Sequence, residues 1–154
     1  MLEVPTKFFV TSGKAISRVT DLNAFDKALL NAGIGEQNII SVSSILPGTI
    51  KQVPKKKLPT GALVQCVLAQ MRGSEGETIS AGIAYAFRKD RQGGYVAEGH
   101  GHMNKRAMKE ILQWKLEEMA KLRGVELGSI RYKIEELSIP MDHYGACLAA
   151  VVYI

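Results

Sequence analysis

The sequence predicts a sheet-rich α/β (α+β) domain with two substantial helices and mainly antiparallel strands. Three observations predict it. Two stretches repeat apolar residues at helical spacing, each opened by a capping residue and closed by a glycine. The segments between and after them are runs of β-branched, aromatic and small apolar residues, separated by turns rich in Gly and Pro. One of those turns, Asp90-Arg91-Gln92-Gly93-Gly94, is short enough to join its strands as a hairpin, which makes the neighbours antiparallel.

The elements follow in order. Lys7–Thr11 reads as a strand and Ser12-Gly13-Lys14 as a turn or short loop. Asp21 can cap a helix starting at Leu22. Leu22, Phe25, Ala28, Leu29 and Ala32 recur at helical spacing, and Gly33 can end the helix. Asp26, four residues after Leu22, lies on a neighbouring part of the same surface. An apolar strand runs from Asn38 into Ser43-Ser44 and is stopped by Pro47-Gly48. Its Ile39, Ile40, Val42, Ile45 and Leu46 favour an extended, buried segment. Residues 47–60 form a connection rich in Pro and Lys. A long strand then runs from Ala62 to about Arg72, with Gly73-Ser74-Glu75-Gly76 as a turn. Thr78 to Lys89 is the next strand, and the hairpin loop leads into Tyr95-Val96-Ala97-Glu98. Asn104 can cap a second helix from Lys105 to about Arg123, closed by Gly124, with Met108, Ile111, Leu112, Lys115 and Met119 near one face. Strands over 129–139 and 147–154 finish the chain.

A chain of 154 residues is one domain's worth and can bury a proper core. Its 46% hydrophobic and 23% charged content is that of a soluble globular protein. No apolar run approaches the roughly 18 residues of a membrane span, and the N-terminus has no signal-peptide pattern, so no membrane partner and a cytoplasmic location are expected. Cys66 and Cys147 stand apart without metal spacing and read as buried thiols in a reducing compartment. The net charge of +5 raises nucleic acid as a partner. The only basic run, Lys55-Lys56-Lys57, is short, lies between Pro54 and Pro59, and has no interleaved aromatic for base stacking. A solvated loop and no nucleic acid are expected. His100 and His102 sit at i, i+2 without evident further ligands and read as exposed histidines, so no metal is expected.

Ser43-Ser44 concentrates the functional question. By itself a serine pair simply ends a strand at a turn. Its surroundings are more specific: Leu22-Asn23-Ala24-Phe25-Asp26-Lys27-Ala28-Leu29-Leu30-Asn31-Ala32-Gly33-Ile34-Gly35, then Asn38, then Ile-Ser-Val-Ser-Ser-Ile-Leu-Pro, then Lys57-Leu58-Pro59-Thr60-Gly61-Ala62-Leu63-Val64 and Gly76-Glu77-Thr78-Ile79-Ser80-Ala81. In that order the set resembles the pyruvoyl-dependent arginine decarboxylases, from about Leu22 to Gly145-Ala146-Cys147. The resemblance implies a four-layer αββα sandwich, a trimer with active sites between subunits, and conversion of L-arginine to agmatine and carbon dioxide.

Decarboxylating an amino acid leaves a carbanion at Cα, which needs an electron sink. The chain has no P-loop and no G-x-G-x-x-G, and pyridoxal phosphate is not expected. The resemblance implies a sink made from the backbone. The Ser44 hydroxyl attacks the Ser43 carbonyl, the resulting ester eliminates to dehydroalanine, and hydrolysis with loss of ammonia leaves a pyruvoyl group at position 44. The single domain 1–154 would thus become a β chain, 1–43, and an α chain, 44–154. The substrate's α-amine would form a Schiff base with that group.

Residue roles follow from the same resemblance. Glu98 stands where the family has its proton donor, and Asn38 where an asparagine polarises the Ser43 carbonyl. Asp26 matches the acidic residue facing the guanidinium and Leu22 its apolar neighbour, while Gly35, Ser43 and Val96 match substrate-lining positions. Read without the resemblance, Glu98 is a surface glutamate, Asn38 opens a strand and Asp26 is a helix-surface charge. Gln37 departs from relatives that carry an apolar residue there. Histidine or another amino acid is the rival substrate, and a non-catalytic basic α/β binding module, with RNA as a candidate ligand, is the rival class.

Overall fold

The computed structural model describes residues 2–154. Its elements are β1 (Lys7–Ser17), α1 (Asp21–Ala32), β2 (Asn38–Ser41), β3 (Ile45–Leu46), β4 (Lys51–Gln52), β5 (Leu63–Ser74), β6 (Thr78–Phe87), β7 (Gly94–Gly101), α2 (Lys105–Leu122), β8 (Arg131–Ser138) and β9 (Tyr144–Tyr153). They form a five-stranded sheet of order β2-β5-β9-β1-β4 and a four-stranded sheet of order β3-β7-β6-β8. Only the outer pairs β1/β4 and β2/β5 are parallel; the rest are antiparallel.

Successive side chains of a strand point to opposite faces, and here both faces of the larger sheet are covered. Phe8 packs between the two sheets, where its ring meets Tyr85 of β6 edge-on at 5.9 Å; Phe9 faces α1. β9 alternates in the same way, with Cys147, Ala149 and Val151 inside the sandwich and Leu148, Ala150 and Val152 under α1. That double coverage explains why β9 is apolar without a polar alternation. β7 and β6 turn Ala84, Ala86, Tyr95 and Ala97 toward Met108, Leu112 and Leu116 of α2. The order is therefore helix, sheet, sheet, helix, the four layers that the resemblance implied. Each fully buried large side chain contributes about 1.5–3 kcal/mol, and Phe8, Leu46, Val67, Ile79, Ile83 and Val96 are all fully buried between the sheets.

Several local expectations are corrected. Ser12-Gly13-Lys14 is not a turn; β1 runs straight through to Ser17. Gly13 is there for close packing, because a Cβ would lie 2.3 Å from the Ala28 carbonyl oxygen of α1. Thr20, not Asp21, caps α1: its Oγ1 accepts the Asn23 N–H at 3.0 Å, and Asp21 is already in the first turn. Gly33 closes the helix at φ 82°. Gly73 and Ser74 continue β5 rather than turn. In α2, capped by Asn104, Leu116 and Ala120 complete the buried stripe, while Lys115 points off it. The strand expected over Asn38–Leu46 is divided. β2 belongs to one sheet and β3 to the other, and most of β2 is exposed in the isolated chain.

Candidate active site

The divided strand is the centre of the site. β2 follows β5 in parallel, with Ser41 level with Cys66, and the Val42 N–H still donates to the Cys66 carbonyl at 2.9 Å. The chain then leaves that sheet. The Ser44 carbonyl accepts from the Val96 N–H of β7 at 2.9 Å, and Ile45 pairs with Tyr95. The Ser43–Ser44 peptide bond thus lies in the crossover between the two sheets, tied to the first sheet before it and to the second after it. Just beyond, the Tyr153 hydroxyl donates to the Ile45 carbonyl at 2.9 Å. A cleft of about 200 Å³ opens beside the bond, lined by Val42, Ser43, Ile45, Pro47 and Tyr153 among others.

Glu98 is two residues beyond Val96 on β7. Alternation puts it on the same face as Val96, which is part of the inter-sheet core. It stands at the rim of that core, its surface still open in the isolated chain. Burial of the carboxyl raises its pKa above the ordinary glutamate range, with Lys115 and His100 partly opposing. A carboxyl held toward its protonated form is suited to donating a proton. Cys66 lies on the other side of the crossover. Burial, and secondarily the Glu98 charge, push its thiol up to about 12, so it is a neutral apolar neighbour. Cys147 is likewise buried and free.

Asn38 does not turn to the serine pair in this structure. Its Nδ2 donates to the Gly61 carbonyl at 3.0 Å, binding the start of β2 to the loop before β5. Gln37 reaches the same loop, donating to the Leu58 and Pro59 carbonyls. Gly35 lets the chain fold back on α1: a Cβ there would lie 2.6 Å from the Leu30 side chain.

Asp26 and Leu22 are elsewhere. Asp26 is exposed on α1, in a cleft with Ile16, Ser17 and His143 at the far end of β1. The Ser43 cleft contains Tyr153, which pairs with Phe8 at the near end. From Phe8 to Ile16, at about 3.3 Å per residue, the strand spans roughly 26 Å. One chain therefore brings Ser43, Ser44, Val96 and Glu98 together but not Asp26. Large apolar side chains are left open at both places: Leu22 (61% exposed) and Leu30 (47%) beside Asp26, and Ile45 (51%) at the crossover.

Two contributors had not been singled out for the site. Lys115 donates from α2 to the Glu98 carbonyl at 2.8 Å; its signal was a lysine next to an apolar helix stripe. Tyr153 had no local signal, since only the pairing of β9 brings it to Ile45. Among the described residues no helix is long and apolar enough to cross a membrane. The basic run at Lys55–Lys57 is an exposed loop, with Lys55 reaching the carbonyl of Ala32 at the end of α1.

Comparison with known proteins bears on the family. The profile of the family described as pyruvoyl-dependent arginine decarboxylase matches residues 7–154. A pyruvoyl-dependent arginine decarboxylase of Thermococcus kodakarensis is 36% identical over 135 residues, covering 86% of this chain and 85% of that protein. Its counterpart from Methanothermobacter thermautotrophicus is 37% identical and covers 96% of both chains. That from Methanocaldococcus jannaschii is 42% identical over 80% of this chain and 73% of its own. Among solved structures, a pyruvoyl-dependent histidine decarboxylase superposes with a TM-score of 0.51 at 16% identity. The match covers 63% of this chain and 52% of that one, and the likeness is one of fold. On the matched span and these identities, the chain belongs to the pyruvoyl-dependent arginine decarboxylase family.

Proposed function

We propose that this protein cleaves itself between Ser43 and Ser44 and then decarboxylates L-arginine to agmatine. The observation that carries the reading is the place of that peptide bond. It bridges two sheets, its flanks are held by the Val42–Cys66 and Ser44–Val96 hydrogen bonds, and a cleft lies alongside. The Ser44 hydroxyl attacks the Ser43 carbonyl, the C–N bond breaks, and the acyl group moves to oxygen. Loss of the Ser44 α-proton expels the Ser43 carboxylate and leaves dehydroalanine. Water then releases ammonia. The new ends belong to a β chain, 1–43, and an α chain, 44–154.

A pyruvoyl group at position 44 supplies the electron sink that decarboxylation requires. The residues fit such a group: the position 44 carbonyl is already held by Val96, and Glu98 follows on the same face. Glu98 holds a proton for delivery to Cα. Ser43 and Val96 line the substrate; Gly35 joins them, and Asn38 assists cleavage, from a neighbouring subunit, since roughly 13 Å of extended strand separates Asn38 from Val42 in its own chain. Asp26, with Leu22 beside it, receives the guanidinium from a neighbouring subunit, since within one chain its cleft lies at the opposite end of β1 from the Ser43 cleft. Two different apolar surfaces, around Leu22 and around Ile45, meet head to tail and close a ring, for which we take the trimer. The protein works in the cytoplasm.

Intact mass under denaturing conditions tests the first step. The wild type should separate into the two chains, and Ser44→Ala should remain one chain without arginine-dependent release of carbon dioxide. A pyruvoyl-ended α chain from Ser44→Ala would remove the basis of the reading.

A further inference from the structure

A second concave site lies away from the crossover, at the outer strand β8 of the four-stranded sheet, where it meets the start of α2. The cavity there measures about 660 Å³. Lys105, Arg106 and Lys109 of α2 and Lys133 of β8 line it, against one carboxylate, Glu135. Among the described residues, none of the four cations has a carboxylate oxygen within ion-pair distance. The neighbouring carboxylates are already engaged. Glu135 accepts from the Ser12 hydroxyl at 2.8 Å, and Glu136 from the Lys105 N–H at 2.6 Å. The Lys109 ammonium stands 4.9 Å from the centre of the Tyr132 ring, so the wall also offers an aromatic face.

Most exposed charge is simply solvated, but solvation does not account for this placement. The start of a helix carries partial positive charge, so cations there are unfavourable and acidic residues favourable. α1 follows the rule with Asp21 in its first turn. α2 has no acidic residue of its own there, its start being met instead by the Glu136 carboxylate of β8, and it carries Lys105 and Arg106 with Lys109 one turn on. Three side chains of α2, with Lys133 on the other face of the edge strand β8, add positive potential around one cavity. A planar guanidinium can bind two phosphate oxygens at once, and lysines serve as point charges beside it. The volume suits a small molecule rather than an extended chain.

We propose that this cavity binds a small polyphosphate, independently of the decarboxylation site. Inorganic tripolyphosphate and a nucleoside triphosphate share that chemistry, and Tyr132 would favour the second by stacking.

The test is calorimetric titration of the self-processed oligomer with each of the two anions. Two charge-matched variants are compared: Lys105→Gln/Lys109→Gln/Lys133→Gln in the cavity, and Lys55→Gln/Lys56→Gln/Lys57→Gln in the exposed loop. The cavity variant should weaken binding at least roughly tenfold, the scale of one or more lost charge-assisted contacts. The loop variant should stay within about twofold. Without anion, the cavity variant should melt no lower than the wild type, because a cation has been removed from the helix start. Tighter binding of the nucleoside triphosphate would support a nucleotide as the natural source, and equal binding would support a site that reads phosphate alone. Equal weakening by both variants would reduce the effect to net charge. Failure of either anion to bind at millimolar concentration would overturn the proposal, as would binding confined to a single-stranded RNA oligonucleotide.

Discussion

Glu98→Gln should separate self-cleavage from turnover. The substitution keeps the size of the side chain and removes its only carboxylic proton. In the proposed mechanism cleavage depends on Ser44 and on the hydrogen bonds that hold the crossover, none of which involves the Glu98 side chain. The variant should therefore still yield two chains. Turnover should fall by roughly a hundred- to ten-thousandfold, the scale of a lost general acid, or about 2.7–5.5 kcal/mol at 1.36 kcal/mol per decade. The geometry supports the assignment: two residues of strand place Glu98 roughly 7 Å from the residue that holds the Ser44 carbonyl, on the same face. The pH dependence has a definite sign. Burial raises the Glu98 pKa, so the donor keeps its proton above the ordinary glutamate range, and kcat falls as pH rises through the raised value. The same shift bears on folding. A carboxyl with a raised folded pKa contributes stability below its unfolded pKa, and that contribution is lost as pH rises through the folded one. Both effects should disappear in Glu98→Gln. Intact mass, steady-state release of carbon dioxide across pH, and melting across pH measure the three consequences. A cleaved Glu98→Gln protein with wild-type turnover, or with an unchanged basic limb, would refute the assignment.

Asp26→Asn should leave cleavage unaffected and lower kcat/KM for arginine roughly ten- to a hundredfold, the worth of a charge-assisted bond of about 1.5–3 kcal/mol. The loss should fall mainly on KM, since the guanidinium is bound alike before and during reaction; unchanged arginine kinetics, tested beside lysine, ornithine and histidine, would leave Asp26 a surface charge. Gly13→Ala should destabilise by about 1–3 kcal/mol, because the new methyl would meet the Ala28 carbonyl oxygen at 2.3 Å. In a chain of this length that lowers Tm by roughly 3–10 °C, and a Tm within a degree of the wild type would show that α1 does not press on β1 there. The thiols of Cys66 and Cys147, both pushed up to about 12, should react with a disulfide reagent at pH 8 only as fast as the protein opens, and rapid labelling of the native protein would contradict their burial.

Where a feature depended on its own neighbours in sequence, the sequence by itself determined it. Asn104 opens α2 because its Oδ1 accepts the Ala107 N–H three residues on. Gly33 and Gly124 follow helices because positive φ is open to glycine without strain. The serine pair, its Pro-Gly stop and the acidic residue on the preceding helix were equally local, and so were readable as a set. Tertiary structure decided the rest. Gly13 has the composition of a turn, yet it is a strand residue made small by a helix that arrives fifteen residues later. Asn38–Leu46 has the residues of one strand. Strand propensity expresses fit to a pleated surface and does not say which sheet provides it. The separate pairings to Cys66 and to Val96 split the segment and put Ser43–Ser44 between the sheets. Likewise, spacing could place Asp26 on a helix surface, but only the path of β1, roughly 26 Å from Phe8 to Ile16, set it at the opposite end of the sheet from the serine pair, and the proposed site therefore draws on a second subunit.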